Sequence, residues 1–397
     1  MLSHRGLILR YALLSRLVFF VILQFAALLP LFDASPILVA LPRPLRPLLR
    51  WDAFHFLHVA NHGYVYEHEW AFFPGSIYLI RYLGSILGHL TGFDASNFFS
   101  AGLLAVLACD TSQTLYALSL HHLQSPALAL SASLLSLLPT SPATLYFAPY
   151  NEPFFTYFTY RGMLCCARQQ WLKASLFFAL ASSFRSNGVL LSGFIFWGLI
   201  AEPCMAKQVV SPFTKSLALA AIVIAPFIAY HLAAYAIFCS GTGSSPEWCS
   251  QFPPSIYTHA QSTYWNVGFL RYWTLGQLPN FILAIPTLLL ILSFAVYHLK
   301  GTWLASSKRK GDSQLDLSFR NVTITPHAIH AIILSFILIF ASHTQIVLRL
   351  AASMPFVYWA AAWLVCENPA LGRLWVSWSV LWGTTSTICW ATFLPPA

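Results

Sequence analysis

Leu278-Pro-Asn-Phe-Ile-Leu-Ala-Ile-Pro-Thr-Leu-Leu-Leu-Ile-Leu-Ser-Phe-Ala-Val-Tyr-His-Leu299 runs without an acid, a lysine or an arginine. As a helix rising 1.5 Å per residue, such a run covers the roughly 30 Å hydrocarbon core of a bilayer, and it reads as a membrane span. Outward from it the same character recurs at residues 11–31, 98–120, 126–147, 153–169, 170–184, 188–201, 213–239, 327–345, 350–366 and 374–393. Several of these are shorter than the roughly 20 residues a straight span needs, and they read as half-helices.

Composition agrees. Of 397 residues, 58% are hydrophobic and only 8% charged, with a mean hydropathy of +0.66, whereas soluble domains carry about 25% charged residues. The expectation is an all-α polytopic membrane protein, a single membrane domain over residues 1–397 without internal repeats. The 24 prolines and 14 tryptophans suit interrupted spans and interfacial aromatic belts. The net charge of +9 comes from scattered arginines and lysines with one compact group, Lys308-Arg309-Lys310, which fits positive-inside topology rather than nucleic-acid binding.

Arg5, Arg10 and Arg16 beside the first apolar run suggest an uncleaved signal anchor with a cytosolic N-terminus. With the basic loop 301–326 cytosolic, the loops 32–97 and 240–277 fall on the lumenal side. Residues 72–90 contain Pro74, Gly75, Arg81, Gly84 and Gly88 and are expected to lie in the interface rather than cross. Cys239 and Cys249 flank a Gly/Ser-rich lumenal loop, where a disulfide and two free thiols are both open. The one sequon, Asn321-Val322-Thr323, falls on the cytosolic side. Asn321 should therefore carry no glycan, and endoglycosidase treatment should leave the protein's electrophoretic mobility unchanged.

Chemistry is concentrated after the first span. Trp51-Asp52-Ala53-Phe54-His55-Phe56 is followed by Gly63-Tyr64, Glu67, Glu69 and Ala71-Phe72-Phe73-Pro74. Ionisable groups beside a bilayer are costly and mark substrate sites. Upstream, Arg43, Arg46 and Arg50 recur on the non-cytosolic side; they bind either a phosphate-bearing lipid substrate or ordinary anionic headgroups. Tyr150-Asn151-Glu152 interrupts two apolar runs, where Glu152 is either functional or a helix cap. Arg185-Ser186-Asn187-Gly188 splits another, a pattern tolerated where a broken helix lines a cavity. Trp265, Asn266, Arg271 and Tyr272 combine rings that stack on sugars with groups that read hydroxyls or phosphate. His343, Gln345 and Arg349 form a last polar patch between spans. No GxGxxG, GxxxxGK[ST], HExxH or GxSxG pattern is present, and the 14 histidines show no ligand spacing for a metal.

Together these motifs, WDAFHF, AFFP, RSNG, YWNVGFLRYW and HTQIVLRLAASMPF, resemble the GPI mannosyltransferase 2 (PIG-V) family of the GT-C glycosyltransferase superfamily. The resemblance implies a GT-C-type bundle of about 9–12 transmembrane helices whose lumenal loops form the active site in the endoplasmic reticulum membrane. It implies transfer of the second mannose, in α-1,6 linkage, from dolichol-phosphate-mannose to a GPI precursor, without metal or other cofactor, alongside a possible accessory membrane subunit. Asp52 occupies the place of the base, with Glu67 and Glu69 beside it. Substrate contacts fall to His55, Glu152, Arg185, Asn187, Trp265, Asn266, Arg271, Tyr272, His343, Gln345 and Arg349. The competing expectations are a sister enzyme acting on another glycan, and a lipid or solute transporter, for which inverted repeats would be expected.

Overall fold

The computed structural model describes residues 3–35, 39–92, 95–240, 245–304 and 314–395, and helix is the only regular structure among them. Lys308, Arg309 and Lys310 of the basic loop lie outside the described residues, as do Asp94 and Asp312. Among the described residues six helices are long and apolar enough to cross a bilayer: His4–Ala26, Ser96–Leu123, Ser186–Met205, Phe213–Phe238, Leu275–Thr302 and Val322–Phe340. A seventh crossing exists if Thr344–Ser353 and Pro355–Glu367, bent by 89° at their junction, act as one span. The chain is an all-α, multi-pass membrane protein.

The remaining expected segments are helical but shorter or less apolar, among them Pro126–Leu135, Asn151–Ala167, Trp171–Phe184 and Pro369–Thr392. The segment 126–147 differs most from expectation, because its helix stops at Leu135 and only a short turn, Pro142–Tyr146, follows. Pro139 has no N–H to continue a helix, and Pro142 restarts one at the position where the missing donor costs nothing.

Charges inside apolar sequence sit at helix breaks and face partners. Asp110 lies between Ala95–Ala108 and Ser112–Leu123, 3.8 Å from Arg16 of the first helix, which also donates to the Leu107 carbonyl. At Arg185 the backbone goes extended (φ −148°, ψ 141°) and separates Trp171–Phe184 from a 3-10 turn, Ser186–Leu191. This turn needs Gly188, since a Cβ there would lie 2.5 Å from the Ser182 Cα. The third break is the 89° bend before Pro355, where the residue preceding a proline is pushed out of helical geometry.

Polar contacts gather at separate parts of the helix bundle. At one end Gln113 donates to the Arg5 carbonyl, and the Asn321 amide donates to the His122 carbonyl at 2.8 Å while its oxygen accepts from Thr323. At the other end the WDAFHF loop meets the segments around 150, 185, 265 and 345. The helix Pro74–Thr91 is not among the six spans. It turns Gly75 and Gly84 against Phe184 and Phe98 and leaves Tyr78 and Tyr82 largely exposed.

Cys239 and Cys249 are joined by a disulfide. The other six cysteines, Cys109, Cys165, Cys166, Cys204, Cys366 and Cys389, are free. A thiol-reactive mass tag applied to denatured, unreduced protein should therefore add six labels, and eight after reduction. Eight labels before reduction would show that the bond does not form.

Candidate active site

Trp51 takes a left-handed backbone conformation (φ 52°), uncommon for a bulky residue, and the reversal places Asp52 at the N-cap of the helix Ala53–His62. An aspartate there ordinarily caps the first turn with its side chain, but the Asp52 carboxylate makes no such bond. It points instead to Arg349, whose Nη1 lies 3.4 Å from Oδ2. The Asp52 N–H donates to the Tyr150 hydroxyl at 2.8 Å.

Glu152 lies in the first turn of Asn151–Ala167. Its Oε1 accepts from Arg185 Nη1 at 2.6 Å and is 3.8 Å from Arg349 Nε. Arg349 thus stands between two carboxylates, and Arg185 closes the chain on the far side. The acids differ in access: the Asp52 side chain is 32% exposed and that of Glu152 only 3%. Asp52 is open to a substrate, whereas Glu152 is spent on holding two guanidinium groups. Two helix N-termini, the positive ends of their dipoles, meet at this point and favour anions.

These groups line one cavity of about 350 Å³, within the size range of small-ligand sites. Its walls include Phe72, Tyr257, Trp265 and His343, with Leu334, Ile337 and Leu338 on the apolar side. Trp265 packs edge-on against Phe72, and its carbonyl is 2.9 Å from His343 Nε2. Asn187 also lines the cavity. Its oxygen accepts from Arg185 Nε at 3.4 Å, and its Nδ2 has no protein partner, so a donor is left for a ligand oxygen. Among the described residues no group of three or more His, Cys, Asp or Glu side chains is arranged to hold a metal ion. The cations at the site are Arg185 and Arg349.

Several residues singled out from sequence stand elsewhere, each for a local reason. Glu69 is buried and accepts from the Val65 and Tyr66 N–H groups beside His58 Nδ1 at 2.6 Å, so its oxygens hold the loop together. Glu67 accepts from Trp248 Nε1 and lies 3.6 Å from His259, tying the first loop to the disulfide loop. Neither acid lines the cavity: buried Glu69 meets donors in its own loop, and half-buried Glu67 meets Trp248 and His259, as carboxylates withdrawn from water must. His55 stacks on Phe72, rings 5.0 Å apart, and is not part of the cavity lining. Asn266 occupies a left-handed turn (φ 52°) that asparagine tolerates better than most residues. Arg271 donates to the Ser262 carbonyl rather than facing the cavity. Tyr272 supports His343 from behind, rings 4.5 Å apart, and Gln345 lies beside the Tyr272 phenol. Of the three upstream arginines, Arg46 donates to the Leu41 carbonyl and Arg50 to backbone carbonyls only, which removes Arg50 from the phosphate-binding candidates.

Sequence reasoning did not single out Tyr150, Tyr257 or Phe72 as cavity residues. Aromatic residues in an aromatic-rich apolar chain carry no distinguishing signal, although Tyr150 does open the polar interruption that flagged Glu152.

The sequence profile of the family described as Mannosyltransferase (PIG-V) matches residues 1–397. The chain belongs to the PIG-V mannosyltransferase family. Within it, this member is 32% identical over 430 aligned residues to a GPI mannosyltransferase 2 of Cryptococcus neoformans, covering 100% of this chain and 99% of the relative. It is 33% identical to the mouse GPI alpha-1,6-mannosyltransferase 2, over 82% of this chain and 74% of the relative, and 31% identical to the human protein over the same shares. In this PIG-V family member, Asp52, Arg349, Glu152 and Arg185 form a continuous four-residue charge array along the cavity.

Proposed function

We propose that this PIG-V family member transfers the second mannose, in α-1,6 linkage, from dolichol-phosphate-mannose to a GPI precursor, at the lumenal face of the endoplasmic reticulum membrane. The carrying observation is Arg349, placed within 3.4 Å of the open acid Asp52 and 3.8 Å of the braced acid Glu152 in a single cavity.

The donor's sugar is β-linked and the product α-linked, so one inverting displacement suffices. Asp52 removes the proton from the acceptor hydroxyl, the hydroxyl oxygen bonds to the anomeric carbon, and the bond from that carbon to the phosphate oxygen breaks. Charge moves as it does so. Asp52 becomes neutral, while the phosphodiester, carrying one charge, becomes a monoester carrying about −1.5 to −2 at neutral pH. Arg349, next to Asp52 at the start, is released from half of its pairing as the leaving phosphate gains charge. Arg185 lies across Glu152 and supplies the second cation. This is stabilisation that grows toward the transition state, the kind that raises kcat. Trp265 offers a ring face for the mannose, and Asn187 Nδ2 a donor for one of its oxygens.

The test is transfer by purified protein from a labelled dolichol-phosphate-mannose to a GPI precursor bearing one mannose. The product should be sensitive to an α-1,6-specific mannosidase. No transfer with this pair, together with transfer to another glycan, would refute the reading.

A further inference from the structure

Arg50 is the most buried cation among the described residues, 2% exposed, and among those residues no carboxylate pairs with it. Burial pulls its pKa down to about 10, so it stays charged at neutral pH. The guanidinium is satisfied by carbonyls alone: Nε and Nη2 donate to Ala391 at 3.2 and 2.9 Å, and Nη1 to Arg46 and Leu49 at 2.5 and 2.8 Å. It therefore bridges the start of the WDAFHF motif to the end of the last helix, 341 positions away. Other ties converge there. Trp390 Nε1 donates to the Pro47 carbonyl, and the Phe393 ring lies 5.1 Å from the Trp51 ring and beneath the Arg50 guanidinium. Trp51 and Phe393 are both non-glycine residues in the left-handed region, φ 52° and 66°. Such conformations persist where the surroundings hold them, and the Arg50 latch lies at their meeting point. On the inner side, the Tyr150 hydroxyl joins the Arg50 carbonyl to the Asp52 N–H.

We propose that Arg50 is the positioning residue for Asp52: it holds the Trp51 reversal against the C-terminal end of the chain, so that the Asp52 carboxylate is presented to the cavity rather than capping its own helix. This rests on Asp52 acting as the base. The Arg50 side chain does not line the cavity and makes no hydrogen bond to the Asp52 carboxylate; its one link to a lining residue is its backbone carbonyl, which accepts from Tyr150. Loss of the latch should thus displace the base while Glu152 continues to hold Arg185 and Arg349.

The experiment compares full-length Arg50→Gln, Tyr150→Phe and Asp52→Asn with the wild type, in detergent, titrating dolichol-phosphate-mannose at saturating one-mannose GPI precursor. For Arg50→Gln, kcat should fall about 10- to 100-fold, the scale of a base misplaced by about 1 Å, with the donor KM changed less than about twofold. Tyr150→Phe, which removes one hydroxyl and keeps the ring, should lower kcat severalfold in the same pattern. A raised donor KM with unchanged kcat in Arg50→Gln would make Arg50 a phosphate ligand and overturn the proposal, as would wild-type constants. If Arg50→Gln does not fold, Tyr150→Phe decides: an unchanged kcat overturns the proposal. Full activity of Asp52→Asn would instead sink the reading of Asp52 as base, a distinguishable result.

Discussion

Asp52→Asn should lower kcat by about three orders of magnitude while leaving the donor KM within a fewfold of the wild type. Asparagine matches aspartate in shape and keeps a contact with Arg349, so the fold and the Trp51 turn are unaffected. What it lacks is the capacity to accept the acceptor's proton, and general base catalysis contributes typically 10²- to 10⁴-fold. In cells deprived of the second GPI mannosylation step, the variant should fail to restore it, and a precursor with one mannose should accumulate. Full rescue would remove Asp52 from the mechanism. Glu152 could not take its place without movement, since the carboxylate is 3% exposed and bound to Arg185 at 2.6 Å.

Arg349→Ala should be nearly as damaging, for an electrostatic reason. It strips the cation between Asp52 and Glu152 and leaves two carboxylates facing an incoming phosphate with Arg185 alone to offset them. Both the donor KM and kcat should suffer, with kcat falling about 10²- to 10³-fold, the usual range for loss of one transition-state charge partner. Arg349→Lys should recover part of this loss, because an ammonium supplies charge but cannot address two acids with the fixed fork of a guanidinium. Arg271→Ala serves as the contrast, since Arg271 reaches the Ser262 carbonyl and not the cavity, and its donor kinetics should stay near wild type. Unchanged kinetics in Arg349→Ala would mean that the phosphate is held elsewhere.

The candidate site was legible in sequence wherever a charge interrupted an apolar run. Asp52, Glu152, Arg185 and Arg349 each stand out against a chain with few charged residues, because a charge near lipid needs a partner. The same logic also flagged Glu67, Glu69 and Arg50. These also need partners, but they find them in backbone amides, loop histidines and carbonyls. A sequence shows that a buried charge must be satisfied; it does not show by what. The aromatic loop is a second example. YWNVGFLRYW reads as one recognition patch, yet Trp265 faces the cavity, Asn266 makes a turn and Arg271 and Tyr272 lie behind. Neighbours in a turn point in different directions, and no periodicity announces which.

By itself the sequence determined that the chain is a helical membrane protein and which residues are too polar to be passive in it, because hydropathy and the cost of burying charge are local properties of each segment. Only the tertiary structure decided which charges meet. Asp52 and Arg349 are separated by 297 positions and Arg50 and Ala391 by 341, and such pairs arise from the packing of helix breaks at one end of the bundle, a global arrangement that no window of sequence contains.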